Sequence, residues 1–204
     1  MDEEKKPDYI KLKITLLRFK IMKHLIILLL IIFSAYKSTN PEVKNVDSLY
    51  DYDVEERIKE LGIELREPGQ PIANYVNSVR SGNLIFLSGS GPKKSDGTFI
   101  TGKIGGDLTV DEGYAAARLT AIEQLSSLKA QIGDLNKVER IVKVLGMVNA
   151  EQSFTEQPAV INGFSDLMVE IFGERGKHAR AAVGVGSLPM NIACEIEMIV
   201  EVGE

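Results

Sequence analysis

The clearest strand pattern lies near the end of the chain, over residues 193–202, where apolar residues at even positions alternate with three glutamates. This period of two is typical of a strand with one buried face. Strand-like stretches also occur over residues 75–80, 84–88, 140–148 and 180–185. The first two are separated by residues 81–83, which is the length of a hairpin turn.

Two helices are predicted from their periodicity and their end signals. Thr109 and Glu112 have the spacing of a capping box, and Gly133 supplies a stop. The three- and four-residue apolar period between them predicts a buried face formed by Ala115, Leu119, Ile122, Leu125, Leu128 and Ile132. The second helix runs from Pro158, well placed in a first turn, to Gly173.

The order of these elements is strand, strand, helix, strand, helix, strand, strand. This order predicts an α/β (α+β) domain with a single mixed sheet and two helices packed on one face. The second face of such a sheet is commonly covered by other subunits when it carries apolar residues. We therefore expect an oligomer.

The start of the chain has a different composition. Basic residues between positions 11 and 23 precede an apolar run over residues 25–33, an order that resembles a secretory signal. The run is shorter than the roughly 20 residues needed to span a bilayer, which favours a signal over a permanent span. Met22-Lys23 would make a conventional signal start, so the residues before it are alternatively an upstream extension.

These features predict a signal or anchor over residues 1–38, a polar linker over 39–53 and a folded domain over 54–204. Export to the periplasm or the exterior, or membrane attachment, is favoured, and a cytoplasmic location is the alternative. Any membrane contact is expected through residues 24–36 only.

Composition excludes several classes of protein. A net charge of −5 and a pI near 5.3 argue against a nucleic-acid partner, which requires clustered Lys and Arg. The single cysteine, Cys194, permits neither an internal disulfide nor a zinc site built on cysteine pairs. His178 is the one histidine after the N-terminal segment, so paired-histidine metal sites are excluded there. We expect no metal and no cofactor.

The glycine-rich stretch over residues 88–92 lacks the Lys-Ser/Thr ending of a phosphate-binding loop, so a turn is predicted. A group of separated motifs is more informative. The segment Ala-Arg-Ala-Ala-Val-Gly-Val over residues 179–185 is followed by Leu188-Pro189 and by Glu195-Ile196-Glu197. This order and spacing resembles the C-terminal signature of the YjgF/Rid superfamily, also called the L-PSP endoribonuclease family. Further counterparts cover residues 73–202 and include Asn74-Tyr75, Leu87-Ser88-Gly89 and Asn162.

The resemblance implies a chorismate-mutase-like fold that assembles into a homotrimer with a cleft at each subunit boundary. In the deaminase members of the family, an arginine binds the substrate carboxylate and other residues line the cleft where water adds to an imine or enamine. Carried onto this chain, the substrate-binding residues are Arg180, Asn162, Ser88 and Gly89, and the catalytic residues are Tyr75 and Glu195.

The chemistry of the two charged residues agrees with these roles. A guanidinium offers two parallel donors to a carboxylate, and Glu195 could orient or deprotonate the attacking water. We expect Arg180 to lie opposite the glutamate of a neighbouring strand. Without the motif, Arg180 would be interpreted as a solvated side chain and the glutamates as the wet face of a strand.

Two features differ from the deaminase pattern. Ala182 occupies a position where the deaminases usually carry cysteine, and the segment over residues 93–111 is longer than in the best-studied branch. The chain resembles instead a divergent branch whose substrate is not established.

Three functions follow from the resemblance. The first is hydrolysis of reactive imines or enamines released by pyridoxal-phosphate enzymes. The second is a non-catalytic trimer that binds a small carboxylate metabolite, which export would favour because those intermediates arise in the cytoplasm. The third, an endoribonuclease, is disfavoured by the acidic charge and the lack of tryptophan.

Overall fold

The computed structural model describes residues 49–71 and 73–203, together with positions 13, 15, 17, 18, 20, 22 and 23 of the N-terminal segment, which are helical. The part of the chain over Leu49–Glu204 forms one compact unit. Within the described residues, no helix combines the length and the apolar character that a bilayer crossing requires. Residues 24–36, for which membrane contact is predicted, lie outside the described residues.

The described residues of this unit form three α-helices and five strands. In chain order they are α1 (Val54–Glu60), β1 (Ser78–Ser81), β2 (Leu84–Ser90), α2 (Val110–Ile132), β3 (Val138–Asn149), α3 (Gln157–Phe172), β4 (Ala179–Val185) and β5 (Cys194–Val202). The two long helices and all five strands fall where the sequence pattern predicts them, and α1 is an addition.

The strands form one sheet in the order β1-β2-β5-β3-β4. All neighbouring pairs are antiparallel except β3 and β4, which are parallel and are connected through α3. Parallel neighbours need such a crossover because a short turn cannot return the chain to the same end of the sheet. The predicted α+β architecture with a single mixed sheet is therefore confirmed.

The period of two in β5 separates a buried face from a wetter one. Cys194, Ile196, Met198, Val200 and Val202 are buried, and the residues between them are half-buried or exposed. The buried residues join the core that the sheet forms with α2 and α3. The intervening residues of β5, including Glu195 and Glu197, therefore point away from the helices.

Helix α2 begins with the predicted capping box, but its buried face differs from the predicted one. Leu125 and Leu128 are buried as expected, whereas Ala115 is exposed and much of the buried face consists of small or polar residues. The reason is the close approach of α3. A β-carbon at Gly163 of α3 would lie 2.9 Å from the carbonyl carbon of Tyr114, so bulky side chains do not fit between these helices.

The folded unit begins before Val54, inside the predicted linker. Tyr50 is buried, and its hydroxyl donates a hydrogen bond to the carbonyl of Val138. Asp53 caps α1 by accepting hydrogen bonds from the amides of Glu55 and Glu56. Residues 49–53 are thus held by the core, although their polar and acidic composition suggests a linker.

The face of the sheet away from the helices carries exposed apolar side chains. Val79, Phe86 and Val183 are 54%, 42% and 41% exposed. Val79 pairs with Phe86, and Phe86 pairs with Ile199 of β5, so their side chains lie on the same face. We call this the open face, and the trimer that would cover it stays a prediction.

Candidate functional site

Arg180 lies on β4, at the edge of the sheet, and its side chain is held by α3. Its Nη1 donates to Asn162 Oδ1 at 2.9 Å and to Ser165 Oγ at 3.0 Å. Asn162 and Ser165 are three residues apart on α3, which places them on the same side of the helix. Nε and Nη2 have no hydrogen-bond partner among the described residues, so one edge of the guanidinium is available for a carboxylate.

A histidine continues this network. Ser165 Oγ lies 3.0 Å from His178 Nε2, and His178 Nδ1 lies 2.7 Å from the carbonyl oxygen of Gly176. Burial lowers the pKa of His178, the hydrogen bond to Gly176 opposes this shift, and the charge of Arg180 adds to it. The net effect is a pKa below the usual value, which favours the neutral ring.

Glu195 lies on β5 with its side chain on the open face. Burial raises its pKa, and the neighbouring charge of Glu197 raises it further. A carboxylate with a raised pKa is a stronger base when ionised, so the environment suits proton transfer from water.

Gly89 makes room for Glu195. A β-carbon at position 89 would lie 2.9 Å from Glu195 Cδ and closer still to Oε1. The register between β2 and β5 shifts between Leu87 and Ser90, so Ser88 and Gly89 form a β-bulge rather than the predicted turn.

Gln124 of α2 holds this bulge from the helix side. Its Nε2 donates to the carbonyl oxygens of Ser88 and Ile196, each at 2.7 Å. The amide is fully buried, and its Oε1 has no partner among the described residues. Ile196 follows Glu195 directly, so Gln124 ties the bulge to the strand position beside the glutamate.

Tyr75 is half exposed and lies in the segment that precedes β1. The neighbouring backbone runs beside the bulge, because Ser88 Oγ donates to the carbonyl of Val76 at 2.7 Å and the Ser88 amide donates to Asn77. The segment that contains Tyr75 therefore runs beside Ser88.

The predicted site residues thus fall into two groups. We call Arg180 and Asn162, with Ser165 and His178, the arginine group. The glutamate group consists of Glu195, Gly89 and Ser88, and Tyr75 lies in the segment that runs beside Ser88.

The two groups lie on opposite faces of the sheet. Arg180 pairs with Val144, which pairs with Met198, and all three side chains lie on the helix side. Glu195 pairs with Met147 of β3, three positions further along, and an odd step on a strand reverses the face. The expectation that Arg180 lies opposite a glutamate of the neighbouring strand is wrong, because β3 is inserted between β4 and β5.

Ser165, His178 and Gln124 were not predicted as site residues, although each had a signal. Ser165 follows Asn162 by three residues on one helix, and His178 precedes Arg180 by two residues, the same-face spacing of an extended chain. Gln124 lies four residues before the buried Leu128, on the core side of α2. The roles of these three residues depend on contacts between separate helices and strands, which sequence spacing does not reveal.

The described residues contain no cluster of three or more His, Cys, Asp or Glu side chains that could hold a metal ion. Cys194 is buried, and burial raises the pKa of its thiol to about 12. At neutral pH this thiol is protonated, which makes it a poor nucleophile.

Comparison with known proteins is consistent across sequence and structure. Residues 55–202 match the model of the family described as "YjgF/chorismate mutase-like, putative endoribonuclease". Protein TCP17 of Trypanosoma cruzi is 47% identical over 145 residues, which cover 71% of this chain and 91% of that protein. A 2-iminobutanoate/2-iminopropanoate deaminase of Dermatophagoides farinae is 32% identical over 132 residues, covering 64% and 88%.

Two solved structures are similar over the same region. The protein Atu1372 of Agrobacterium tumefaciens, of unknown function, is 45% identical with a TM-score of 0.68, covering 74% of this chain and 94% of that one. A structure described as a "putative endoribonuclease" of Shewanella oneidensis is 34% identical with a TM-score of 0.71, covering 74% and 100%. The chain belongs to the YjgF/chorismate mutase-like family.

Proposed function

We propose that this protein hydrolyses imines or enamines of small 2-amino acids in a cleft that two copies of the chain complete. The observation that carries the proposal is the separation of the arginine group and the glutamate group onto opposite faces of one sheet. One ligand cannot contact both groups of the same chain through the sheet. A second copy, packed on the open face, would bring its own arginine group toward the glutamate group.

The arginine group supplies the carboxylate site. With Nη1 occupied by Asn162 and Ser165, the Nε–Nη2 edge of Arg180 is free to donate hydrogen bonds to the two oxygens of a substrate carboxylate. Charge-assisted paired hydrogen bonds of this kind fix the orientation of the substrate as well as its position. A small 2-imino acid carries its carboxylate next to the reacting carbon, so this contact also places the imine.

The glutamate group supplies the base. Glu195 takes a proton from water as the water oxygen bonds to the imine carbon, and passes this proton to the imine nitrogen, which gives a carbinolamine with one hydroxyl and one amino group. Glu195 then takes the hydroxyl proton as the carbon–oxygen double bond forms and delivers it to the nitrogen, which leaves as ammonia. An imine and one water thus give one 2-oxo acid and one ammonia. The 32% identical deaminase from Dermatophagoides farinae supports this reaction class.

A small-carboxylate-binding trimer without catalysis is the second candidate. One observation favours it: the residues that hold Arg180 belong to the same chain, whereas Glu195 lies on the other face of the sheet. Binding needs only the arginine group, and turnover needs both groups.

Ammonia release separates the two candidates. The imine of alanine or 2-aminobutanoate is generated in place by an amino-acid oxidase, and ammonia formation is followed with the full chain, Arg180→Lys and Glu195→Gln. Hydrolysis predicts that Glu195→Gln binds pyruvate, the reaction product from alanine, but loses turnover, because an amide cannot accept the proton of water.

Arg180→Lys keeps the charge but loses the planar fork, so pyruvate binding should weaken by roughly 10- to 100-fold. Glu201→Gln, further along the same face of β5, and Arg140→Lys, an exposed position of β3, are the matched controls. Wild-type turnover by both Arg180→Lys and Glu195→Gln would reject the site. If the wild-type chain binds pyruvate but releases no ammonia, the result would favour the non-catalytic carboxylate-binding trimer over the hydrolase.

A further inference from the structure

Arg180 belongs to a hydrogen-bond network of four side chains, its own included, and one backbone carbonyl. Asn162 and Ser165 hold Nη1, Ser165 contacts His178, and His178 contacts Gly176. Ser165, His178 and Gly176 were not predicted as part of the site.

When the His178 ring is neutral, the donors and acceptors of this hydrogen-bond network permit one assignment of protons. The carbonyl oxygen of Gly176 only accepts, so His178 Nδ1 carries a proton and donates it at 2.7 Å. On the neutral ring, Nε2 is then an acceptor, and the hydroxyl of Ser165 donates to it at 3.0 Å. The Ser165 oxygen retains lone pairs for the proton from Arg180 Nη1, so every contact has one donor and one acceptor.

The end of this hydrogen-bond network at Gly176 is closely packed. Gly176 is buried against α3, where a β-carbon at position 176 would lie 2.8 Å from the amide nitrogen of Val169. The ring of His178 also packs edge-on against Phe164, with the ring centroids 6.4 Å apart. The backbone that carries this carbonyl and the ring of His178 are therefore both packed closely against α3.

We propose that Ser165 and His178 are positioning residues that hold the guanidinium of Arg180 so that its Nε–Nη2 edge meets a ligand carboxylate. This inference rests on the proposed carboxylate site. Arginine has several rotatable bonds, and ordering them on binding weakens affinity. Two oxygens on Nη1 order the group before the ligand arrives. The ordering favours a carboxylate over a neutral amide, because a carboxylate uses both free donors with its two oxygens and an amide offers only one oxygen.

Protonation of His178 would break the assignment. A protonated ring turns Nε2 into a donor, and Ser165 would then receive protons from two cations at once. Arg180 of β4 is the charged group whose field acts on His178, and its effect lowers the pKa of the ring. The neutral ring is thus the form that leaves Ser165 as a good acceptor for Arg180.

The test uses two probes that differ in charge only at the carboxyl group. Dissociation constants for pyruvate and for its neutral amide, pyruvamide, are measured by ligand-observed NMR with the full chain. Ser165→Ala removes the hydroxyl, Ser165→Thr restores it, and His178→Phe removes both ring nitrogens while keeping a ring against Phe164. Ser95→Ala, an exposed hydroxyl in a turn, is the matched control.

We expect Ser165→Ala and His178→Phe each to weaken pyruvate binding by roughly tenfold, and the preference for pyruvate over pyruvamide to shrink by the same factor. Ser165→Thr and Ser95→Ala should bind as the wild type does. If these variants lower only the unfolding temperature and keep the preference for pyruvate over pyruvamide, the positioning role is wrong.

Two outcomes separate this inference from the proposed function. If Arg180→Lys loses pyruvate while Ser165→Ala and His178→Phe bind it normally, the carboxylate site stands and the positioning role is wrong. If the wild-type chain does not distinguish pyruvate from pyruvamide, the carboxylate site itself is wrong. If His178→Phe does not fold, the comparison of Ser165→Ala with Ser165→Thr decides the question alone.

Discussion

At the bulge between β2 and β5, the side chain of Glu195 occupies the space that a side chain at Gly89 would need. A β-carbon at position 89 would lie 2.9 Å from Glu195 Cδ, so the carboxylate occupies volume that any other residue at 89 would need. The glycine therefore sets where the carboxylate lies. The bulge that presents Gly89 is in turn held by the buried amide of Gln124.

Gly89→Ala should displace the Glu195 carboxylate and reduce ammonia release at least tenfold, since the base would no longer face the substrate. Stability should fall little, because the side chain of Glu195 can turn outward. Gly186→Ala, where nothing lies within 4 Å of the added carbon, is the control and should keep full activity. Unchanged turnover in Gly89→Ala would show that the position of Glu195 is not critical.

The pH dependence of turnover should report Glu195. As a base it works only when ionised, and its pKa is raised by burial and by Glu197. Activity should therefore fall as the pH drops through a value above the usual 4.5 of glutamate. Glu197→Gln should move this acid limb to lower pH, because it removes a neighbouring negative charge. An acid limb that stays in place would exclude Glu195 as its origin.

Stability gives a second measure of the same shift. A carboxyl group whose pKa is higher in the folded state than in the unfolded state binds protons more tightly in the folded state. The protein therefore loses stability as the pH rises from the pKa of the unfolded state to that of the folded state. Glu195→Gln should therefore unfold at a temperature no lower than the wild type at neutral pH. Calorimetry that finds a clear loss would mean that the ionised carboxylate is stabilised in a way the structure does not show.

Gln124→Leu should destabilise the fold by about 1–3 kcal/mol, because it leaves two carbonyl oxygens without their donor. The loss of the unpaired Oε1 offsets part of this cost. Turnover should fall as the bulge relaxes, while pyruvate binding at Arg180 persists. Denaturant unfolding and the ammonia assay measure the two effects, and the exposed Gln152→Leu is the control.

The full chain should be a trimer, since the apolar side chains of the open face need a cover. Phe86→Glu places a charge in the middle of that face and should shift the mass measured by light scattering toward the monomer. Val169→Glu, at a 37% exposed apolar position of α3, should leave the assembly intact. A stable monomer of the wild type at micromolar concentration would contradict the shared cleft as well.

Export or membrane attachment through residues 1–38 is a separate prediction. Cell fractionation and mass spectrometry of the native N-terminus should find a processed chain or a membrane-bound one. An unprocessed chain found wholly in the soluble cytoplasm would reject the prediction, and would also favour the hydrolase over the binding trimer.

The two long helices and the five strands of this protein follow from local signals in the sequence. The alternation in residues 194–202 and the capping box at Thr109 depend on neighbours within a few residues, and the structure contains both. The motif around Arg180 indicated the family for a similar reason, because its spacing is readable along one segment. Local periodicity was less informative for α2, where the close approach of α3 selected a buried face of small residues.

Tertiary structure alone decided which site residues meet. Sequence spacing cannot reveal that β3 lies between β4 and β5, nor the register of these strands, which places Arg180 and Glu195 on opposite faces. The hydrogen bonds from Ser165 to His178 and from Gln124 to the bulge likewise join residues on different elements. Such contacts depend on how the chain crosses the sheet, and a strand's face reverses with every residue, so a small change of register would assemble a different site.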